Sequence, residues 1–253
     1  MDALLYIVAG AGVGFAVGLT GIGGGSLMTP LLLLFGFPAP VAIGTDLMYA
    51  SITKAGGVFA HHRQKSINWS VVKRMAVGSL PAAGLTIVAL DLFFTGSDSY
   101  TDVLTVSLGF MLILSSVVLL LRKQLLRHAP VLSDKSAAFI TVIMGVLLGV
   151  FVTLSSVGAG ALGTAILILL YPVMSASRIV GTDLAHAVPL TLAGGLGHLY
   201  LGNVDFQLLG ALLIGSLPAI YLGTKVGHKL PDVFLQRVLS LLLLGLGIKY
   251  TLF

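Results

Sequence analysis

The sequence predicts an all-α fold, a polytopic transmembrane helical bundle of two inverted five-segment repeats with short interrupted or re-entrant helices. Three observations carry that prediction. The composition cannot wet a soluble surface, the apolar runs have membrane-crossing lengths, and one half of the chain repeats the other.

Of the 253 residues, 57% are hydrophobic and 9% are charged, and the mean hydropathy is +1.07. A soluble domain carries about 25% charged residues to cover its surface. A soluble enzyme or a nucleic-acid-binding domain is thereby excluded. Fourteen Lys and Arg stand against nine Asp and no Glu, a formal charge of +5. In a membrane chain this excess reports topology rather than a nucleic-acid footprint. The lack of cysteine removes a disulfide framework, a thiolate nucleophile and a zinc–cysteine site. The 32 glycines suit close helix packing or broken helices. Met1-Asp2 leads directly into an apolar run without the basic start of a cleaved signal peptide, so the first segment is expected to be a retained helix.

Apolar runs and turn signals divide the chain into ten segments, near 3–20, 26–36, 41–60, 70–93, 103–121, 136–153, 159–171, 178–200, 205–224 and 233–252. Most have about 18 to 24 residues, enough to cross roughly 30 Å of hydrocarbon. The second and seventh are shorter. Gly21-Ile22-Gly23-Gly24-Gly25 precedes one and Tyr171-Pro172 follows the other, so both are expected to be half-helices or re-entrant pieces.

Shifting the chain by 137 residues aligns Gly44-Thr45-Asp46-Leu47 with Gly181-Thr182-Asp183-Leu184. The same ungapped shift aligns Gly78-Ser79-Leu80-Pro81-Ala82 with Gly215-Ser216-Leu217-Pro218-Ala219, and His61 with His198. It also pairs Gly21 and Gly23 with Gly158 and Gly160. At that offset Ala161 and Leu162 stand opposite Gly24 and Gly25, so the two glycine breaks are expected to differ. The duplication divides the chain into an N-terminal transmembrane repeat (1–121), a cytoplasmic basic linker (122–135) and an inverted C-terminal repeat (136–253).

Basic residues set the expected orientation. Arg63, Lys65, Lys73 and Arg74 cluster after segment three; Arg122, Lys123, Arg127 and Lys135 after segment five; Lys225 and Lys229 after segment nine. The opposite loops carry Asp91, Asp98 and Asp102, or Asn203 and Asp205. The loop after segment three is then cytoplasmic, its repeat partner after segment eight is external, and both termini lie outside. Inverted repeats with short helices at matching positions are a transporter signature.

Several residues are candidates for chemistry. Gly21, Gly23, Gly24, Gly25 and Ser26 precede a short helix, and Ser155, Ser156, Gly158, Gly160 and Gly163 form the matching stretch. Free N–H groups at a helix start attract anions, and glycine lets the backbone approach a ligand; tight helix packing is the structural alternative. No Gly-Lys-Ser/Thr follows, so this is not a nucleotide P-loop. Asp46 and Asp183, each preceded by Thr45 or Thr182, lie near the starts of segments three and eight. They read either as intramembrane proton carriers or as helix N-caps. Lys54 lies about 12 Å further along the helix from Asp46. It reads either as an anion- or carboxylate-facing charge or as a side chain snorkelling to the interface. His61, His186 and His198 are candidates for proton handling or interfacial hydrogen bonding. Pro81 and Pro218 are expected to kink their helices and shape a cavity or hinge. No metal site and no Ser–His–Asp arrangement stands out.

With these residues in place, the chain resembles the sulfite exporter TauE/SafE family of bacterial and archaeal membrane transporters. The resemblance rests on Gly18-Leu19-Thr20-Gly21-Ile22-Gly23-Gly24-Gly25-Ser26, the Gly44-Thr45 block, the repeated Gly-Ser-Leu-Pro and the small size with a basic central loop. It covers essentially the whole chain. It implies export, or in some members uptake, of sulfite or a small organosulfur anion, coupled to an ion gradient or membrane potential. The partners implied are that anion and the lipid bilayer, with no cofactor; monomer and homodimer both remain open. Uptake of another small anion, an uncoupled channel and a non-transporting scaffold are the rival readings.

Overall fold

The computed structural model describes residues 2–20, 27–94, 99–127, 132–227 and 232–252. Its helices are α1 (Asp2–Thr20), α2 (Met28–Leu34), α3 (Ala39–Arg63), α4 (Trp69–Phe93), α5 (Ser99–Arg127), α6 (Asp134–Ser155), α7 (Ala161–Leu170), α8 (Ala176–Tyr200), α9 (Phe206–Gly227) and α10 (Asp232–Leu252). The fold is all-helical, with no strand among the described residues. The glycine stretch Gly21, Gly23, Gly24, Gly25 and Ser26, together with Asp98 and Lys229, lies outside the described residues.

Five helices (α4, α5, α6, α8 and α9) are long and apolar enough to cross a membrane. The distribution of side chains fits that solvent. Leu85, Phe93, Phe139 and Ile214 are exposed on the outside, whereas Asp46, Lys54, Asp183, His186 and His198 are buried. Among lipid chains this arrangement leaves apolar groups facing apolar groups and keeps the charged groups inside the protein. α2 and α7 are the short helices expected at positions two and seven. Arg122, Lys123 and Arg127 continue α5 rather than forming a loop.

The principal helix pairs join one half of the chain to the other: α1 with α9, α4 with α6, α5 with α10, and α3 with α8. The halves are interlocked through these pairs. α3 and α8 begin and end 137 residues apart, and α4 and α9 begin at the same spacing. Local bonds repeat with it. Asn68 caps α4 by accepting from the Val71 N–H, and Asp205 accepts from the Leu208 N–H at the start of α9.

The first two helices of each half follow a different spacing. Gly145 and Gly149 of α6 pack on the backbone at Met75 and Ser79 of α4; Gly10 and Gly14 of α1 pack on Leu212 and Ser216 of α9. Here the equivalent residues are 135 apart, so α1–α2 and α6–α7 are offset by two residues from the ungapped alignment. At this spacing Gly23 and Gly25 correspond to Gly158 and Gly160. The expected loss of two glycines to Ala161 and Leu162 is therefore corrected.

Candidate functional site

Asp46 lies well inside α3, whose N-cap is Pro38, and Asp183 lies well inside α8, whose N-cap is Ser175. Neither aspartate caps its own helix, which corrects the N-cap reading. Asp46 Oδ2 instead accepts from the Thr29 hydroxyl at 2.5 Å, the Thr29 N–H at 3.2 Å and the Ser156 hydroxyl at 3.0 Å. Thr29 is in the first turn of α2, where unsatisfied N–H groups and the helix dipole favour a negative group. Ser156 directly follows α6. One carboxylate thus holds the short helix of its own half and the helix break of the other.

Asp183 has fewer donors. Its Oδ2 accepts from the Thr164 hydroxyl of α7 at 3.2 Å. Its Oδ1 and the Oδ1 of Asp46 are buried without a partner. Asp183 Oδ1 rests against Gly163 of α7, where an added Cβ would collide with it.

Lys54 is only 6% exposed, which overturns the snorkelling reading. Its ammonium donates to the Ala159 carbonyl at 2.6 Å, between α6 and α7. Lys54 lies within Coulombic reach of both Asp183 and Asp46, without a direct ion pair to either. An ammonium has three donors and one is engaged here.

The α6–α7 break is built for close approach. Ser156, Gly158 and Gly160 have φ of 58°, 107° and 155°. A side chain opposes the latter two conformations, so glycine is needed at both positions. The Ser155 hydroxyl donates to the carbonyl of Phe151 and accepts from the Val157 N–H, which fixes the last turn of α6. Among the described residues, the N–H groups of Gly158, Ala159 and Ala161 have no acceptor. These donors are gathered at the start of α7, beside the carbonyl that Lys54 holds.

The other candidates lie elsewhere. The Thr45 hydroxyl accepts from the Asp205 N–H at 3.1 Å, and the Thr182 hydroxyl accepts from the Asn68 N–H at 2.9 Å. Each ties a central helix to the start of a helix in the other half. His61 Nδ1 pairs with the Ser66 hydroxyl at 2.7 Å. At the equivalent position His198 Nε2 faces the Thr153 carbonyl at 2.9 Å, and Nδ1 faces the Asn203 amide. A carbonyl only accepts, so Nε2 of His198 carries the proton and Nδ1 accepts from Asn203. His186 Nε2 pairs with the Ser79 hydroxyl of α4 at 2.8 Å, near the aspartates. Pro81 and Pro218 lie inside α4 and α9, with their rings exposed on the outer surface. Thr29, Ser79, Ala159 and Thr164 are the site residues that sequence reasoning missed. Pairing Thr29 with Thr164 at the 135-residue spacing is the signal that finds two of them. An apolar cavity of about 380 Å³ between α1, α2 and α10, lined by residues such as Val13, Leu31 and Leu246, offers an anion no donor among the described residues.

A helical bundle with an apolar exterior and buried charges gathered at a helix break is a membrane transporter in class. The profile of the family described as sulfite exporter TauE/SafE matches residues 6–250, and the chain belongs to that family. It is 39% identical over 250 residues to the probable membrane transporter protein YjnA of Bacillus subtilis, covering 96% of this chain and 97% of that one. It is 30% identical over 272 residues to the probable membrane transporter protein MJ0441 of Methanocaldococcus jannaschii, covering 96% and 93%. No solved structure matches the chain.

Proposed function

We propose that this protein is a secondary transporter that exports sulfite or a small sulfonate-type anion across the cytoplasmic membrane, coupled to an ion gradient or the membrane potential. The substrate binds at the α6–α7 break, between two halves that are inverted in the membrane, with both termini external. The observation that carries this reading is the cluster of three unengaged N–H groups, Gly158, Ala159 and Ala161, beside the buried ammonium of Lys54. A small oxyanion presents several acceptors, and fixed N–H groups with one cation match them in a water-poor site. Family membership supports the same substrate class.

The test is flux in proteoliposomes under imposed proton, sodium and electrical gradients, with sulfite, thiosulfate, sulfonates and carboxylates as probes. Saturable, gradient-driven movement of sulfite or a sulfonate is expected. Flux indifferent to every gradient would identify a channel, and no flux of any anion would leave a scaffold.

A further inference from the structure

We propose that Asp183 is the group that takes up and releases a proton during transport, while Asp46, its counterpart in the other half, stays charged and clamps the two halves together. This rests on the reading of the protein as a coupled transporter and goes beyond it by giving equivalent aspartates different tasks.

The difference lies in the donors. Both aspartates have an unpartnered, buried Oδ1. The Oδ2 of Asp46 accepts three hydrogen bonds, two from Thr29 and one from Ser156. The Oδ2 of Asp183 accepts one, from Thr164. Donors stabilise the charged carboxylate, and burial without them favours the neutral acid. Protonating Asp46 would weaken bonds to both halves at once. Protonating Asp183 weakens one bond inside its own half.

The repeat explains how the asymmetry arises. At the 135-residue spacing the counterpart of Ser156 is Gly21, which has no hydroxyl to offer Asp183. The counterpart of Lys54 is Thr191, whose hydroxyl bonds back to the Ala187 carbonyl of its own helix. Among the described residues the clamp therefore exists on one side only.

Charge balance gives the proton its role. Lys54 reaches the surroundings of Asp183 from α3, and it faces Asp46 as well. α7 has no titratable side chain along its length, and those of α6 and α4 are confined to Asp134 and Lys135, and to Lys73, Arg74 and Asp91, near the helix ends. On α8 itself His186 lies one turn beyond Asp183 and bonds Ser79; Arg178 and His198 lie toward the two ends. With both aspartates ionised, Lys54 faces two negative groups, and an arriving anion adds a third. A proton moving from water to Asp183 Oδ1 cancels the added charge of a monoanion and frees Lys54 to hold it. Release of both to the other side restores the starting state, so the proton travels with the anion and the cycle carries no net charge. It runs as export when the outward anion gradient exceeds the inward proton gradient.

The test is infrared difference spectroscopy of the full chain in lipid nanodiscs during a pH titration, following the protonated-carboxyl C=O stretch. Wild type and Asp46→Asn are expected to show a titrating band, shifted from that of exposed aspartates by its apolar setting, that Asp183→Asn lacks. Ser156→Ala serves if Asp46→Asn does not fold: removing a donor from Asp46 should leave the midpoint of the band in place. The proposal is overturned if Asp46→Asn loses the band, if Asp183→Asn keeps it, if Ser156→Ala moves the midpoint, or if wild type has no titrating band. Addition of sulfite or methanesulfonate should raise the midpoint. A band that tracks Asp183 yet ignores both anions would uphold the proton site and count against the anion reading instead.

Discussion

The ammonium of Lys54 lies 2.6 Å from the carbonyl oxygen of Ala159, 105 residues away along the chain. A cation on α3 is thereby anchored to the helix break of the other half. With the Ser156–Asp46 bond it makes two polar links between α3 and that break. Among the described residues neither link has a counterpart from α8, where Thr191 takes the place of Lys54.

The Ser156–Asp46 link should be measurable as stability. Leaving a buried acceptor short of a donor costs about 1–3 kcal/mol. Ser156→Ala should lower the melting temperature, and Ser156→Gly should lower it less, because glycine accepts the φ of 58° without strain. A Ser156→Gly protein as stable as wild type would show that the bond contributes little.

Gly163 should be coupled to Asp183. A methyl group there would strike Oδ1 of the carboxylate, so Gly163→Ala should destabilise the protein and abolish transport. Asp183→Ala removes the obstacle. The double variant should therefore recover stability relative to Gly163→Ala alone, with a coupling of about 0.5–3 kcal/mol in thermal unfolding. Simple additivity would place the strain elsewhere.

The helices were legible in the sequence because apolar runs ending at Gly, Pro and charged residues leave little freedom in where a membrane helix starts and stops. α3 and α8 differ from their expected bounds by no more than three residues. Lys54 was not legible: its burial depends on an Ala159 carbonyl that meets it only through tertiary packing. The spacing of the glycine breaks was ambiguous for a simpler reason. An offset of 137 pairs Gly21 and Gly23 with Gly158 and Gly160, while an offset of 135 pairs Gly23 and Gly25 with the same two residues. On those glycine pairs alone the two offsets score alike. The structure decides, because Thr29 lies 17 residues before Asp46 and Thr164 lies 19 before Asp183. Two extra residues in the second half absorb the shift.

Orientation can be checked at Lys65 and Gly202, exposed equivalents in the loops after α3 and α8. Both already adopt positive φ, 54° and 77°, so the loop conformation at Gly202 is one that a residue with a side chain adopts at Lys65. These positions serve better than Ser66 and Asn203, which are bonded to His61 and His198. In the cysteine-free chain, Lys65→Cys should react with an impermeant maleimide from the cytoplasmic side and Gly202→Cys from outside. Labelling of both from one side would rule out inversion of the halves.

The central claim is that the anion sits at the α6–α7 break with Lys54 as its counter-charge, and sulfite counterflow in proteoliposomes tests it most directly. A hydrogen bond to a charged group contributes about 1.5–3 kcal/mol, so Lys54→Gln should raise the half-saturation concentration roughly 10- to 100-fold. Lys54→Arg, which keeps the charge, should fall between the two. Wild-type half-saturation in a folded Lys54→Gln protein would contradict the account and remove the anion from this break.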